Sequence, residues 1–193
     1  MKVLVTGFQP FGKETTNPSY EAVKLLPENI LGADIIKAEL PVVFRKSGEY
    51  AAEIIRREQP DIVLLVGQAG GRTAMTPERV AINIEDCPGG FPDNEGNAPS
   101  DEAIVKDGPA AYFSTVPVEK MVQAIEAEGI KATVSNSAGA FVCNDTLYGI
   151  LHHFAGTRVR CGFIHVPYIP QQGNPSMELE QIVSGLAAAI AAC

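Results

Sequence analysis

Along this chain, short apolar runs alternate with stretches in which apolar residues recur at helical spacing, and the two patterns predict strands and helices in turn. The first run, Lys2 to Thr6, predicts a strand leading into GFQPFGKE. Asn17-Pro18 then starts a helix, with Asn as N-cap and Pro at the first helical position. A second strand is expected over Ala33 to Leu40, and a helix from about Phe44 to Glu58 with Ala51, Ile54 and Ile55 inward and Pro60 as its stop. Asp61 to Val66 is apolar on both faces, as a central parallel strand is, and ends in GQAGGR. In TPERVAINIED, Val80, Ile82 and Ile84 alternate with Arg79, Ala81, Asn83 and Glu85, which predicts one strand.

Residues 87–107, with CPGGFPDNEGNAPSDE, are rich in Gly, Pro and Asp and predict a long loop, expected to act as a covering flap. A helix from about Val118 to Ala127 ends near Gly129. Ala132 to Ser135 reads as the end of a buried strand and Ala138-Gly139 as a tight turn, after which Leu147, Ile150, Leu151 and Phe154 mark a helix. RCGFIHVPYIP predicts the last strand. Residues 175–193 predict a closing helix, with Ser176 as N-cap and Leu179, Ile182, Val183, Leu186 and Ile190 on one face. This order of elements predicts an α/β fold in three layers. The chain of 193 residues, 46% hydrophobic, is expected to form a single domain, 1–193.

Charge narrows the partners. A net charge of −8 and a pI near 4.9, with Lys and Arg scattered, disfavour nucleic acid and anionic membrane as main partners. The opening MKVLVTGFQPFG carries one basic residue and an apolar run that stops at Gly7, so neither a signal peptide nor a membrane span is expected. A cytoplasmic location follows, with the four cysteines kept as thiols.

Four stretches carry candidate chemistry. Gly7, Gly12 and Lys13 have the spacing of a phosphate loop, but Glu14 stands where a Ser or Thr would hold magnesium and Pro10 removes a cradling N–H. Phe8 and Phe11 in that loop are either core or the lining of a pocket. GQAGGR is either a plain turn or a place where backbone approaches a ligand. Glu78, just after Pro77, either faces solvent or points back toward that glycine loop. Cys143 stands apart from Cys87, Cys161 and Cys193 because the helix pattern puts it in a first turn, where unpaired N–H groups and the macrodipole favour a thiolate nucleophile. His152 and His153 are neighbours on a helix and diverge by about 100°, which leaves His165 in the position of a catalytic base or of a hydrogen-bonded core histidine. No C-x-x-C or H-x-x-x-H pair supports a metal.

The stretches VTGFQPFG, GQAGGR, TPERVAIN, PDNEGN, DGPAAYFS, AGAFVCN and GFIHVPYIP, in this order, resemble the pyroglutamyl peptidase I family of cysteine peptidases along the whole chain. Two segments depart from the family pattern: SNSAGA replaces S-Y-T-A-G-T, and CPGGF lengthens the segment before PDNEG. The resemblance implies an α/β/α sandwich on a twisted, mixed, mainly parallel sheet, often a homotetramer. It implies hydrolysis of an N-terminal pyroglutamyl (5-oxoproline) residue from peptides, without metal or cofactor, by a triad falling on Glu78, Cys143 and His165. It also implies that Phe8, Phe11 and Phe141 sandwich the ring while Gln68 meets the lactam edge, and Arg72 or Arg79 assists the oxyanion donors at the helix end. The competing expectation is a nucleotide- or small-ligand-binding α/β protein that uses Gly7 to Lys13.

Overall fold

The computed structural model describes residues 1–193, the side chain of Pro88 excepted. Its elements are β1 (Lys2–Phe8), α1 (Pro18–Leu25), β2 (Asn29–Ile30), β3 (Ala33–Leu40), α2 (Lys46–Glu58), β4 (Ile62–Gln68), β5 (Thr76–Glu78), β6 (Val80–Ile82), β7 (Ala111–Phe113), α3 (Val118–Ala127), α4 (Val142–His153), β8 (Arg160–Val166) and α5 (Leu179–Ala191). Six strands form one sheet in the order β2-β3-β1-β4-β8-β5. The four inner strands are parallel, and β2 and β5 pair antiparallel at the edges.

Strand periodicity sorts the core into two faces. Val3 and Val5 of β1, Ile62, Leu64 and Val66 of β4, and Ile164 and Val166 of β8 pack under α1, α3 and α5. The alternate residues Leu4, Val63, Leu65 and Phe163 pack against α2 and α4. A three-layer α/β/α sandwich results. β1 is joined onward to β3 on one side, and β4 then lies on its other side, so the chain reverses direction across the sheet between β1 and β4. Crevices at such a reversal open at the carboxyl ends of the strands, here at Phe8 and Gln68.

The structure differs from the sequence expectation at four places. TPERVAINIED is two strands in two sheets, because the chain turns at Arg79: β5 joins the main sheet while β6 pairs with β7. Ala132 to Ser135 makes only single bridges, Met75 to Ala132 and Glu78 to Ser135, along the edge strand. Residues on an edge have one neighbour, so the segment is half-exposed rather than a buried strand. The closing helix starts later than expected, capped by Glu178 in a capping box with Gln181, and Ser176 lies outside it. β1 and β4 each run two residues further than their apolar runs, through Phe8 and Gln68.

That extension explains Gly7. It sits inside β1, and a Cβ there would lie 2.4 Å from Tyr20 Cα and 2.5 Å from Tyr20 N, on the backbone of α1. The helix is pinned at this point: Asn17 caps it by accepting from Ser19 N, and Ser19 Oγ accepts from Phe8 N at 3.0 Å. Gly7 is therefore a close-approach residue rather than part of a phosphate cradle. Gly7→Ala should lower stability by roughly 1–3 kcal/mol, read as a lower urea midpoint at unchanged slope; an unaltered midpoint would show that α1 has room to move.

Candidate active site

Sheet geometry brings the distant candidates together. Alternation along β8 puts His165 on the same face as Phe163, toward α4, and its register partner on β4 is Gly67. On the other side β5 pairs antiparallel with β8, Thr76 opposite His165 and Glu78 opposite Phe163. Glu78 Oε1 thus reaches His165 Nδ1 at 2.7 Å, both residues being buried. Arg72, from the glycine turn after β4, donates to the same oxygen at 2.7 Å, to Thr76 Oγ1, and to Ser137 O at 3.1 Å.

Cys143 is the second residue of α4, whose N-cap Phe141 is extended and offers no side-chain cap. The amides of Asn144 and Asp145 bond to Phe141 O. Among the described residues the N–H groups of Val142 and Cys143 have no acceptor, as expected for the start of an uncapped helix. The Cys143 sulfur lies over Gly67: a Cβ on Gly67 would be 3.0 Å from Sγ and 2.6 Å from Phe163 Cζ. Since Gly67 is the register partner of His165, the missing side chain is what seats the sulfur beside the imidazole strand.

The electrostatics follow from burial. Burial pulls the Glu78 carboxyl up, but the hydrogen bond and charge of His165, then Ser135 and Arg72, outweigh it and hold Glu78 below the ordinary carboxylate value. Burial lowers His165 below its ordinary 6.5, Glu78 opposing and Arg72 adding to the shift. Burial likewise pushes the Cys143 thiol up to about 12, with Glu78 raising it and Arg72 lowering it. Against the thiolate that the helix end favours, desolvation works in the opposite direction, although Cys143 is only half-buried.

Next to Cys143 is a narrow cavity of about 20 Å³ whose walls include Phe8, Phe11, Phe141 and Gln68. Asn17, Val42 and Val142 complete it. Phe141 packs edge-on against Phe44 at 5.1 Å between centroids, and the rings of Phe11 and Phe91 each lie 6.3 Å from it. Sequence reasoning missed Asn17, Val42, Phe44 and Phe91. Phe91 comes from the long loop, and its only sequence signal was an aromatic residue within a Gly-Pro stretch. The loop is nailed down by Asp93, which accepts from the backbone N–H groups of Phe44, Glu95 and Asn97 at 2.8–3.0 Å. Asn94 Nδ2 donates to Pro10 O at 3.0 Å and so ties the loop to the Phe8–Phe11 turn.

Thiol, imidazole and carboxylate are the side-chain types that cysteine peptidases use. A family model described as pyroglutamyl peptidase matches residues 1–193. The chain belongs to the pyroglutamyl peptidase family. Among its relatives, the pyrrolidone-carboxylate peptidase of Treponema denticola is 50% identical over 100% of this chain and 93% of its own length. That of Thermosipho africanus is 53% identical, covering 100% and 96%. The solved pyroglutamyl peptidase I of Bacillus amyloliquefaciens superposes with a TM-score of 0.95 at 47% identity, over 99% of this chain and 93% of that one. A variant of the pyrrolidone carboxyl peptidase of Pyrococcus furiosus gives 0.94 at 43% identity, over 100% and 97%.

The structure does not bring every candidate to the pyroglutamyl peptidase site. Arg79 turns outward, its guanidinium donating to Asn136 at 2.9 Å and to Glu119 at 3.3 Å. Arg72 is at the site, but spent on Glu78 rather than held over the sulfur. His152 and His153 lie away from it, against Tyr112 and Arg56. Among the described residues no group of three or more His, Cys, Asp or Glu side chains is placed to hold a metal ion. With desolvation raising the Cys143 thiol to about 12, inactivation by iodoacetamide should keep accelerating as pH rises past the ordinary cysteine value of 9.0; a plateau already reached at neutral pH would mean a thiolate–imidazolium pair.

Proposed function

We propose that this peptidase removes the N-terminal pyroglutamyl residue from peptides, with Cys143 as nucleophile, His165 as general base and then acid, and Glu78 as the group that orients the imidazole. The observation that carries the reading is the buried Glu78–His165 hydrogen bond on a strand whose register partner, Gly67, lies under the Cys143 sulfur. With Nδ1 of His165 donating to Glu78, Nε2 is left to accept the thiol proton as sulfur attacks the pyroglutamyl carbonyl. The negative charge on the carbonyl oxygen is met by the free N–H groups at the start of α4. His165 returns the proton to the leaving amine, and water attacks the thioester to release 5-oxoproline. Ionised Glu78 stabilises the imidazolium that exists between these steps, and Arg72 holds Glu78 ionised.

The cavity supplies specificity. Aromatic walls suit a flat, neutral ring, whereas an ordinary N-terminal residue brings an ammonium whose burial without a partner costs several kcal/mol. The Gly7 to Lys13 loop is taken up otherwise: Gly7 by packing on α1, and Glu14 by a hydrogen bond from Gln172. We further propose a cytoplasmic protein, a location supported by four unpaired thiols, and a homo-oligomer, a tetramer by resemblance to the family. No helix is long and apolar enough to cross a membrane.

Cys143→Ala and His165→Ala should each abolish hydrolysis of a pyroglutamyl anilide while leaving the fold intact; Glu78→Gln should lose less, since an amide still positions the ring. Wild-type turnover by Cys143→Ala would overturn the nucleophile assignment. EDTA should leave the rate unchanged. Protonated His165 cannot act as base, and its pKa is lowered, so the acid limb of kcat/KM should lie below pH 6.5. Phe141→Ala should raise KM, and pyroglutamyl should be preferred over prolyl anilide by on the order of 10⁴; similar rates on both would defeat the cavity model with the triad still standing.

A further inference from the structure

Gln68 lines the cavity from the carboxyl end of β4. A primary amide fits a wall either way round, and the two placements are chemical opposites: Nε2 toward the cavity donates, Oε1 accepts. The neighbours of Gln68 decide between them. Its Oε1 accepts from Gln172 Nε2 at 2.8 Å. Gln172 is itself held in one orientation, because its Oε1 accepts from the backbone N–H of Ile169 at 3.3 Å while its Nε2 also faces Glu14 Oε2 at 3.1 Å and Thr16 O at 3.3 Å. Turning Gln172 over would set an oxygen against a carboxylate and a carbonyl. Among the described residues nothing accepts from Gln68 Nε2, whose hydrogens are left for whatever enters the cavity.

We propose that Gln172, locked by Glu14 and the Ile169 N–H, is a positioning residue that fixes the Gln68 amide with Nε2 toward the cavity, so that the pocket selects a ring bearing a carbonyl over one bearing an ammonium. The inference rests on reading the cavity as the 5-oxoproline site. A fixed donor pair meets the ring carbonyl of 5-oxoproline directly. A prolyl ring puts a methylene where that carbonyl would be and an ammonium on the neighbouring nitrogen, so the donors are left unpaired. Were Gln68 free to turn, its Oε1 could swing round to accept from that ammonium, and discrimination would shrink. Glu14, which spoils the phosphate-loop pattern, acquires a function here: its charge keeps Gln172 donating toward Gln68.

Two substitutions at one position separate orientation from structural support. Gln172→Glu offers Gln68 only an acceptor, so the amide should turn its Nε2 away from the cavity. Gln172→Lys still donates to Gln68 Oε1 and neutralises Glu14. For Gln172→Glu, KM for a pyroglutamyl anilide and the Ki of 2-pyrrolidinone should rise roughly tenfold to a hundredfold, as when a buried partner is left unpaired, with kcat little changed and the pyroglutamyl-to-prolyl ratio reduced. Gln172→Lys should keep both near wild type. Equal damage by Glu and Lys, or a fall in kcat at constant selectivity, would reduce Gln172 to structural support and overturn the proposal, as would an unchanged KM in Gln172→Glu. Gln68→Leu tells the two readings apart: if it leaves KM unchanged the cavity assignment itself fails, whereas a raised KM there with a silent Gln172→Glu defeats only the orienting role.

Discussion

The site depends on keeping one carboxylate ionised in the interior. Glu78 is fully buried, and a carboxylate in that position would take up a proton unless compensated. Compensation comes from two side chains: His165 on β8 and Arg72 from the turn after β4. Each requires the antiparallel addition of β5 to an otherwise parallel sheet, since only that pairing sets Glu78 and Thr76 on the face that carries His165. The charge, in turn, fixes the imidazole's orientation. Fold and chemistry meet at this edge strand.

A second constraint is the placement of the first turn of α4. Helix ends ordinarily fray, and a thiol held at one fixed place there needs anchoring. Asn144 supplies it by accepting from Ile82 N and donating to Ile82 O and Ile84 O, and Asp145 by accepting from Arg45 N at 2.7 Å. Both side chains are buried in a helix's first turn, polar where the helical pattern alone would ask for apolar residues. Burial pushes Asp145 up to about 7, against the hydrogen bond from Arg45. These tethers leave the N–H groups of Val142 and Cys143 free, because the helix is held by its side chains.

The aromatic cavity has the same logic at its rim. Its walls come from β1 and the turn after it, the start of α1, the turn before α2, the end of β4 and the start of α4, and the long loop packs behind them through Phe91 against Phe141. Asp93 and Asn94 bring them into register by accepting from or donating to backbone at Phe44 and Pro10. The long loop is thus stitched to the site at its PDNEGN end.

Much of this was legible in the sequence. Local patterns determined β3, α1, α3 and the placement of Cys143 in the first turn of α4, since periodicity, Asn17-Pro18 and the AGAFVCN segment act through neighbours in the chain. The order of strands and helices determined the three layers, and the motifs determined the family. Only the tertiary structure decided how TPERVAINIED divides between two sheets, why Gly7 and Gly67 must lack side chains, and which way Arg79 turns. It also decided how far desolvation opposes the thiolate that a helix end favours, since how much protein surrounds a sulfur is a property of packing. Local sequence encodes backbone preference and face. Burial, close approach and the orientation of an amide such as Gln68 are set by residues far away in the chain, and the sequence carries them only through the fold.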